Sequence, residues 1–132
     1  MFSRRDILIF MYTGVILDHF QNPRNAGELE NPSSSADVSN PVCGDILRLA
    51  IRVENGHIIE TRFRAKGCVS AVAASSILTQ LLLGKPLSEA RHLSAEAISQ
   101  ALGGLPPASY HAAQLAADAL RAVLAASPPD LA

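Results

Sequence analysis

The sequence predicts an α+β fold: a small antiparallel sheet of about three strands, packed on one face by α-helices, with its chemistry gathered at one end of the sheet. Three observations carry that expectation. Residues 45–66 hold two runs of alternating apolar and charged residues that meet at Asn55-Gly56. After Cys68 the alternation gives way to Ala- and Leu-rich segments with helical spacing, interrupted by Gly and Pro, as far as Ala125. A length of 132 residues, 48% hydrophobic and 17% charged, suits one compact core.

At the N-terminus, Ser3-Arg4-Arg5-Asp6 ahead of Ile7-Leu8-Ile9-Phe10-Met11 imitates an export signal. The imitation fails, because Thr13-Gly14 and Asp18-His19 break the apolar stretch and no small-residue cleavage site precedes Pro23. The stretch is also shorter than the ~20 apolar residues that span a bilayer. Residues 1–11 therefore read as an extension, 12–126 as the domain and 127–132 as a tail. Tyr12 to Phe20 reads as a short amphipathic helix closed before Asn22-Pro23. Residues 21–40, rich in Pro, Asn, Gly and Ser, read as a loop that ends in a short strand.

The hairpin register follows from parity. A two-residue loop at Asn55-Gly56 sets Leu49 opposite Arg62 and Ile51 opposite Glu60, which buries charge. A three-residue loop, Asn55-Gly56-His57, pairs Val53 with Ile59, Leu49 with Phe63 and Leu47 with Ala65, and keeps one face apolar. The odd loop is the expectation, with Ile59, Thr61, Phe63 and Ala65 on one face. Extended outward, the register brings Cys43 and Asp45 beside Gly67 and Cys68. Beyond lie predicted helices at Val69 to Leu83, Leu87 to Arg91, Ala95 to Leu102 with Ser94 as N-cap, and Ser109 to Ala125 with Leu115, Ala119, Leu120 and Val123 on its apolar stripe.

Composition excludes several function classes. A formal net charge of −1 provides no field to gather nucleic acid or an anionic membrane. Aromatics at 5%, with no Trp, leave no stacking platform for single strands. Two cysteines are too few for a disulfide scaffold, so a reduced, cytoplasmic chain is expected, in which thiols serve as ligands or nucleophiles.

Cys68 falls at a helix N-terminus two residues after Lys66, so the dipole, the free amides and the ammonium are all expected to lower its pKa. An inert core thiol would sit away from charge. Cys43 lies in Pro41-Val42-Cys43-Gly44-Asp45, where an extended backbone projects Cys43 and Asp45 to one side. His111 occupies the first turn of the last helix, where the positive dipole end favours a neutral imidazole. A lone histidine near an apolar stripe is more often a packing residue. His19, His57 and His92 are assigned to surface positions. Two thiolates, one imidazole and one carboxylate together can close a four-ligand site for zinc or iron.

The ordered set Ile16-Leu17-Asp18-His19-Phe20-Gln21-Asn22-Pro23-Arg24-Asn25, Cys43-Gly44-Asp45, Gly56-His57-Ile58-Ile59-Glu60, Phe63, Gly67-Cys68-Val69-Ser70-Ala71, Leu105-Pro106-Pro107, His111 and Asp118-Ala119 resembles the iron-sulfur cluster assembly scaffold family of the IscU and NifU N-terminal type. The likeness spans Tyr12 to Ala125 and implies an IscU/NifU-like fold. It further implies that Cys43, Asp45, Cys68 and His111 hold a nascent cluster or a zinc ion. The implied role is not enzymatic: the family accepts sulfur from a cysteine desulfurase and iron from a donor, builds a [2Fe-2S] cluster and passes it to recipient apo-proteins. Asp45, a harder ligand than thiolate, eases release of the cluster.

Two departures matter. The family places a third cysteine after the histidine, where this chain has Ala112, so Cys68, with Cys43 as the less favoured alternative, becomes the candidate sulfur acceptor, and a second subunit of a homo-oligomer is an alternative source of ligand. The family's chaperone-binding stretch ends in Val-Lys, where this chain has Ala108-Ser109, which argues against recognition by an Hsp70-type chaperone. The absent thiol favours a second reading, a zinc-binding accessory module that docks on a desulfurase without building clusters. A thiol enzyme with Cys68 as nucleophile, His111 as base and Asp45 as orienter is the weakest reading, because Gly67-Cys68-Val69-Ser70-Ala71 lacks the second glycine of a nucleophile elbow.

Overall fold

A computed structural model describes residues 12–41 and 44–126. The chain opens with helix α1 (Gly14–Gln21), whose N-cap Thr13 accepts from the Ile16 amide and donates its hydroxyl to the Leu102 carbonyl. Strands β1 (Ser34–Ser39), β2 (Ile46–Glu54) and β3 (His57–Lys66) form an antiparallel sheet in the order β1-β2-β3. Helices α2 (Val69–Leu82), α3 (Leu87–Ala90) and α4 (Ala95–Ala101) follow, then a 3-10 turn (Pro107–Ser109) that leads directly into α5 (Tyr110–Ala125). Helices α2 and α5 lie against the sheet and against each other, and α1 packs on α2. This is the α+β architecture expected from the sequence.

The layers follow from the alternation. Leu47, Leu49 and Ile51 of β2 and Phe63 of β3 point inward and are all but fully buried. They meet Ala73, Ala74, Ile77, Leu78 and Leu82 of α2 and the alanines, Leu120 and Val123 of α5. Each fully buried Leu or Ile contributes about 1.5–3 kcal/mol relative to exposure. Alanines on both helices bring the backbones close, and the Ser34 hydroxyl donates to the Val123 carbonyl at 2.6 Å, tying β1 to α5. The opposite sheet face is charged: Arg48 pairs with Asp37 at 2.7 Å and Arg64 with Glu28 at 3.0 Å.

The register agrees with the parity expectation through most of the hairpin, with Leu47 opposite Ala65 and Leu49 opposite Phe63. The tip differs. Glu54 pairs with His57, so the loop has two residues, and a bulge between Arg52 and Val53 sets Val53 opposite Ile58. Asn55 (φ 53°) and Gly56 (φ 74°) both take the left-handed conformation of a tight hairpin turn. The bulge restores parity further along, so Ile58 is buried and Ile59, expected inward, is 47% exposed.

Beyond β3 the backbone of Asn25–Gly27 adds a short parallel bridge: Phe63 N–H donates to the Asn25 carbonyl and Gly27 N–H to the Phe63 carbonyl. This loop is anchored on α2 by a buried polar cluster. His19 Nδ1 lies 2.7 Å from Ser76 Oγ, and the Arg24 amide donates to the same oxygen. His19, expected at the surface, is therefore buried, because α1 packs on α2 and its ring meets Ser76 there. His57 and His92 are exposed as expected.

Candidate metal site

Three chain segments converge where the sheet ends. The turn between β1 and β2 is closed by the Asn40 N–H, which donates to the Asp45 carbonyl at 2.8 Å and fixes the backbone that bears the Asp45 carboxylate. The junction between β3 and α2 bears Cys68 as N-cap of α2, its carbonyl accepting from the Ala71 and Val72 amides. The first turn of α5 bears His111.

The Cys68 thiol donates to Asp45 Oδ2 at 3.4 Å, and His111 Nε2 lies 3.7 Å from the same oxygen. One donor atom from each of Asp45, Cys68 and His111 lies within 4.8 Å of the others. Tetrahedral coordination with bonds of about 2.0–2.3 Å places donors about 3.3–3.8 Å apart, close to this spacing. Asp45 is 4% exposed, and among the described residues the group that ion-pairs with it is His111, with no Lys or Arg. A buried carboxylate without such a partner is costly, and a cation relieves the cost. Oxygen, nitrogen and sulfur donors together suit zinc or iron.

Of the sequence-predicted set, the structure therefore brings together Asp45, Cys68 and His111. Cys43 lies outside the described residues. Lys66 is exposed, pairs with Ile46 across the sheet, and lines a groove of about 800 Å³ on the sheet's outer side together with Arg48 and Arg64. It does not figure among the groups that act on the thiol. The expected lowering of the Cys68 pKa is also reversed: desolvation of the sulfur pushes it up, amide donation from Ala71 and Ser70 opposes this, and the Asp45 carboxylate adds to the rise. The helix N-terminus is outweighed chiefly by burial of the sulfur, with the negative Asp45 carboxylate adding to it.

Two features of the site are not apparent from residue types alone. A cavity of about 450 Å³ opens beside it, lined by Ser39, Asn40, Pro41, Tyr110, His111 and Gln114 among others, and gives His111 an open side. Gly67 has no side chain where the Asp45 carboxylate lies, and a Cβ there would fall 2.3 Å from Asp45 Oδ1. The available signal was a glycine standing between the last residue of a strand and a candidate ligand. Ala112, in place of a third thiol, is buried in the core.

Residues 11–128 match the family model of the NifU-like N-terminal domain. The chain is 44% identical over 111 residues to the iron-sulfur cluster assembly scaffold protein IscU 1 of Archaeoglobus fulgidus, covering 84% of this chain and 72% of that one. It is 41% identical over 118 residues to the scaffold protein IscU of Escherichia coli K12, covering 86% and 91%. A relative from Drosophila melanogaster, 38% identical over 125 residues and covering 92% and 80%, is named an iron-sulfur cluster assembly enzyme. In structure, the chain superposes on a crystal structure described as a cluster assembly scaffold for the SUF system of Fervidobacterium islandicum AW-1, with a TM-score of 0.73 at 21% identity, over 87% of this chain and 97% of the other.

Proposed function

Because the chain belongs to the family of NifU-like N-terminal domains, we propose that it is an iron-sulfur cluster assembly scaffold, with Asp45, Cys68 and His111, joined by Cys43, as the residues that hold iron and a [2Fe-2S] cluster. The cluster is cargo, received in parts and passed to recipient apo-proteins. The observation that carries this reading is the meeting of three different metal-donor types around a buried carboxylate that has no Lys or Arg partner among the described residues. The working unit is residues 12–126, in the cytoplasm.

Cys68 is the sulfur acceptor in this reading. Its raised pKa keeps the free thiol protonated, and Asp45 Oδ2, 3.4 Å away, is placed to take the proton when the sulfur attacks. The Cys68 sulfur bonds to the outer sulfur of a cysteine desulfurase persulfide, the S–S bond within that persulfide breaks, and the desulfurase leaves as its thiolate. A dithiol reductant then removes the outer sulfur as sulfide, is itself oxidised to a disulfide and returns the Cys68 thiol; Cys68, His111 and Asp45 would hold the iron that binds this sulfide. Asp45, harder than thiolate, keeps the cluster labile for transfer.

Ala112, where a third thiol is expected, favours a second reading: a zinc-binding accessory module that docks on a cysteine desulfurase. Anaerobic reconstitution with ferrous iron, a cysteine desulfurase, cysteine and a dithiol reductant separates the two. The scaffold reading expects visible absorption with iron and acid-labile sulfide in equal amounts, lost in Cys68→Ala. Tightly held zinc with no sulfide supports the accessory module. A Cys68→Ala variant that still assembles a full cluster overturns the assignment of Cys68.

A further inference from the structure

Asp45 reaches Cys68 and His111 only because position 67 is empty. A Cβ on Gly67 would lie 2.3 Å from Asp45 Oδ1, 2.6 Å from Cγ and 3.0 Å from Cβ, so the whole carboxylate arm runs against the Gly67 backbone. Oδ1 is the end of this short arm, but Cγ and Cβ stand close to the main chain and cannot swing away freely. Asp45 cannot withdraw as a unit, because its carbonyl is held by the Asn40 N–H at 2.8 Å and its next neighbour, Ile46, is paired with both Ser39 and Lys66. Relief can come only from rotation of the carboxylate, and rotation removes Oδ2 from the Cys68 sulfur at 3.4 Å and the His111 Nε2 at 3.7 Å.

We infer that Gly67 is a positioning residue of the metal site: the missing side chain seats the Asp45 carboxylate between the thiol and the imidazole, and any larger residue there disassembles the donor set without altering a donor. This rests on the reading of Asp45, Cys68 and His111 as ligands. Gly67 also has φ +158°, so a substitution strains the backbone as well. The two effects separate in a double-mutant cycle, since backbone strain is common to both arms and cancels.

The test measures cobalt(II) affinity of the full chain anaerobically, by the sulfur-to-cobalt absorption, in the wild type, Gly67→Ala, Asp45→Gly and the double variant, with circular dichroism to verify folding. The expected result is a loss for Gly67→Ala at least tenfold greater in the wild-type background than in Asp45→Gly, where the carboxylate arm is gone. Equal losses in both backgrounds, or no loss in the wild-type background, overturn the inference. If the wild-type chain takes up no cobalt, the ligand reading fails, and the steric coupling is then read from melting temperatures. A Gly67→Ala loss that is much smaller in Asp45→Gly sustains the seating of the carboxylate, and equal losses reject it. Unfolding of Gly67→Ala rescued by Asp45→Gly supports the inference. Unfolding in both backgrounds assigns Gly67 to the backbone and overturns it.

Discussion

His19 and Cys68 mark where residue-by-residue inference from the sequence holds and where it stops. The type of each was legible, but its surroundings were not, since both depend on segments distant in the chain. The helix N-terminus at Cys68 is local and legible, whereas the burial that raises its pKa, and the carboxylate that adds to the rise, come from the folded chain, Asp45 lying 23 positions earlier. The surface expectation for His19 fails because its partner, Ser76, stands 57 positions later in the chain. Burial lowers the His19 pKa below its ordinary 6.5, with the nearby Arg24 guanidinium adding to the effect. The fold thus favours the neutral ring. Between pH 6.5 and the lower folded value the unfolded chain binds a proton that the folded chain does not. Stability from this group is complete above pH 6.5 and is lost as pH falls through the folded value. Urea midpoints are expected to drop from pH 7.5 to pH 5.5 in the wild type and to drop less in His19→Gln.

Among the elements, the hairpin and the helices were the most legible, because their periodicities are local. The strands, the Ser94 cap that accepts from the Ala97 amide, and the last helix fall within a residue or two of expectation. The parity of the hairpin was also correct along Leu47, Leu49, Phe63 and Ala65, but the device that sets it was not. A single bulged residue corrects the register that a two-residue turn would spoil, and a bulge leaves no mark in an alternating pattern until the tip is known. The turn carries its own energetic signature. Gly56 sits at φ 74° with open space around it, so Gly56→Ala meets no clash and costs only the left-handed backbone, about 1–2 kcal/mol. The unfolding free energy from urea titration is expected to fall by that amount, lowering the midpoint with the slope unchanged. An unchanged midpoint would mean that the turn is not held in this conformation.

For the molecule as a whole, the three described donors come from a turn, a strand–helix junction and a helix that meet only in the folded state. No helix among the described residues is long and apolar enough to cross a membrane. An ion held there binds the folded chain and not the unfolded one, so occupancy and stability are linked. At one hundred times the dissociation constant, zinc is expected to add about 2.7 kcal/mol and to raise the melting temperature by several degrees. Chelation should reverse the shift, and Cys68→Ala should abolish it. A melting temperature indifferent to zinc would count against a shared site.

The order of these donors along the chain has a consequence for biosynthesis. A ribosome releases Asp45 and Cys68 well before His111, and α5, which bears the imidazole, is the last helix to emerge among the described residues. A nascent chain therefore carries only part of this donor set until α5 docks on the sheet, and under the proposed reading the order along the sequence disfavours early capture of an ion.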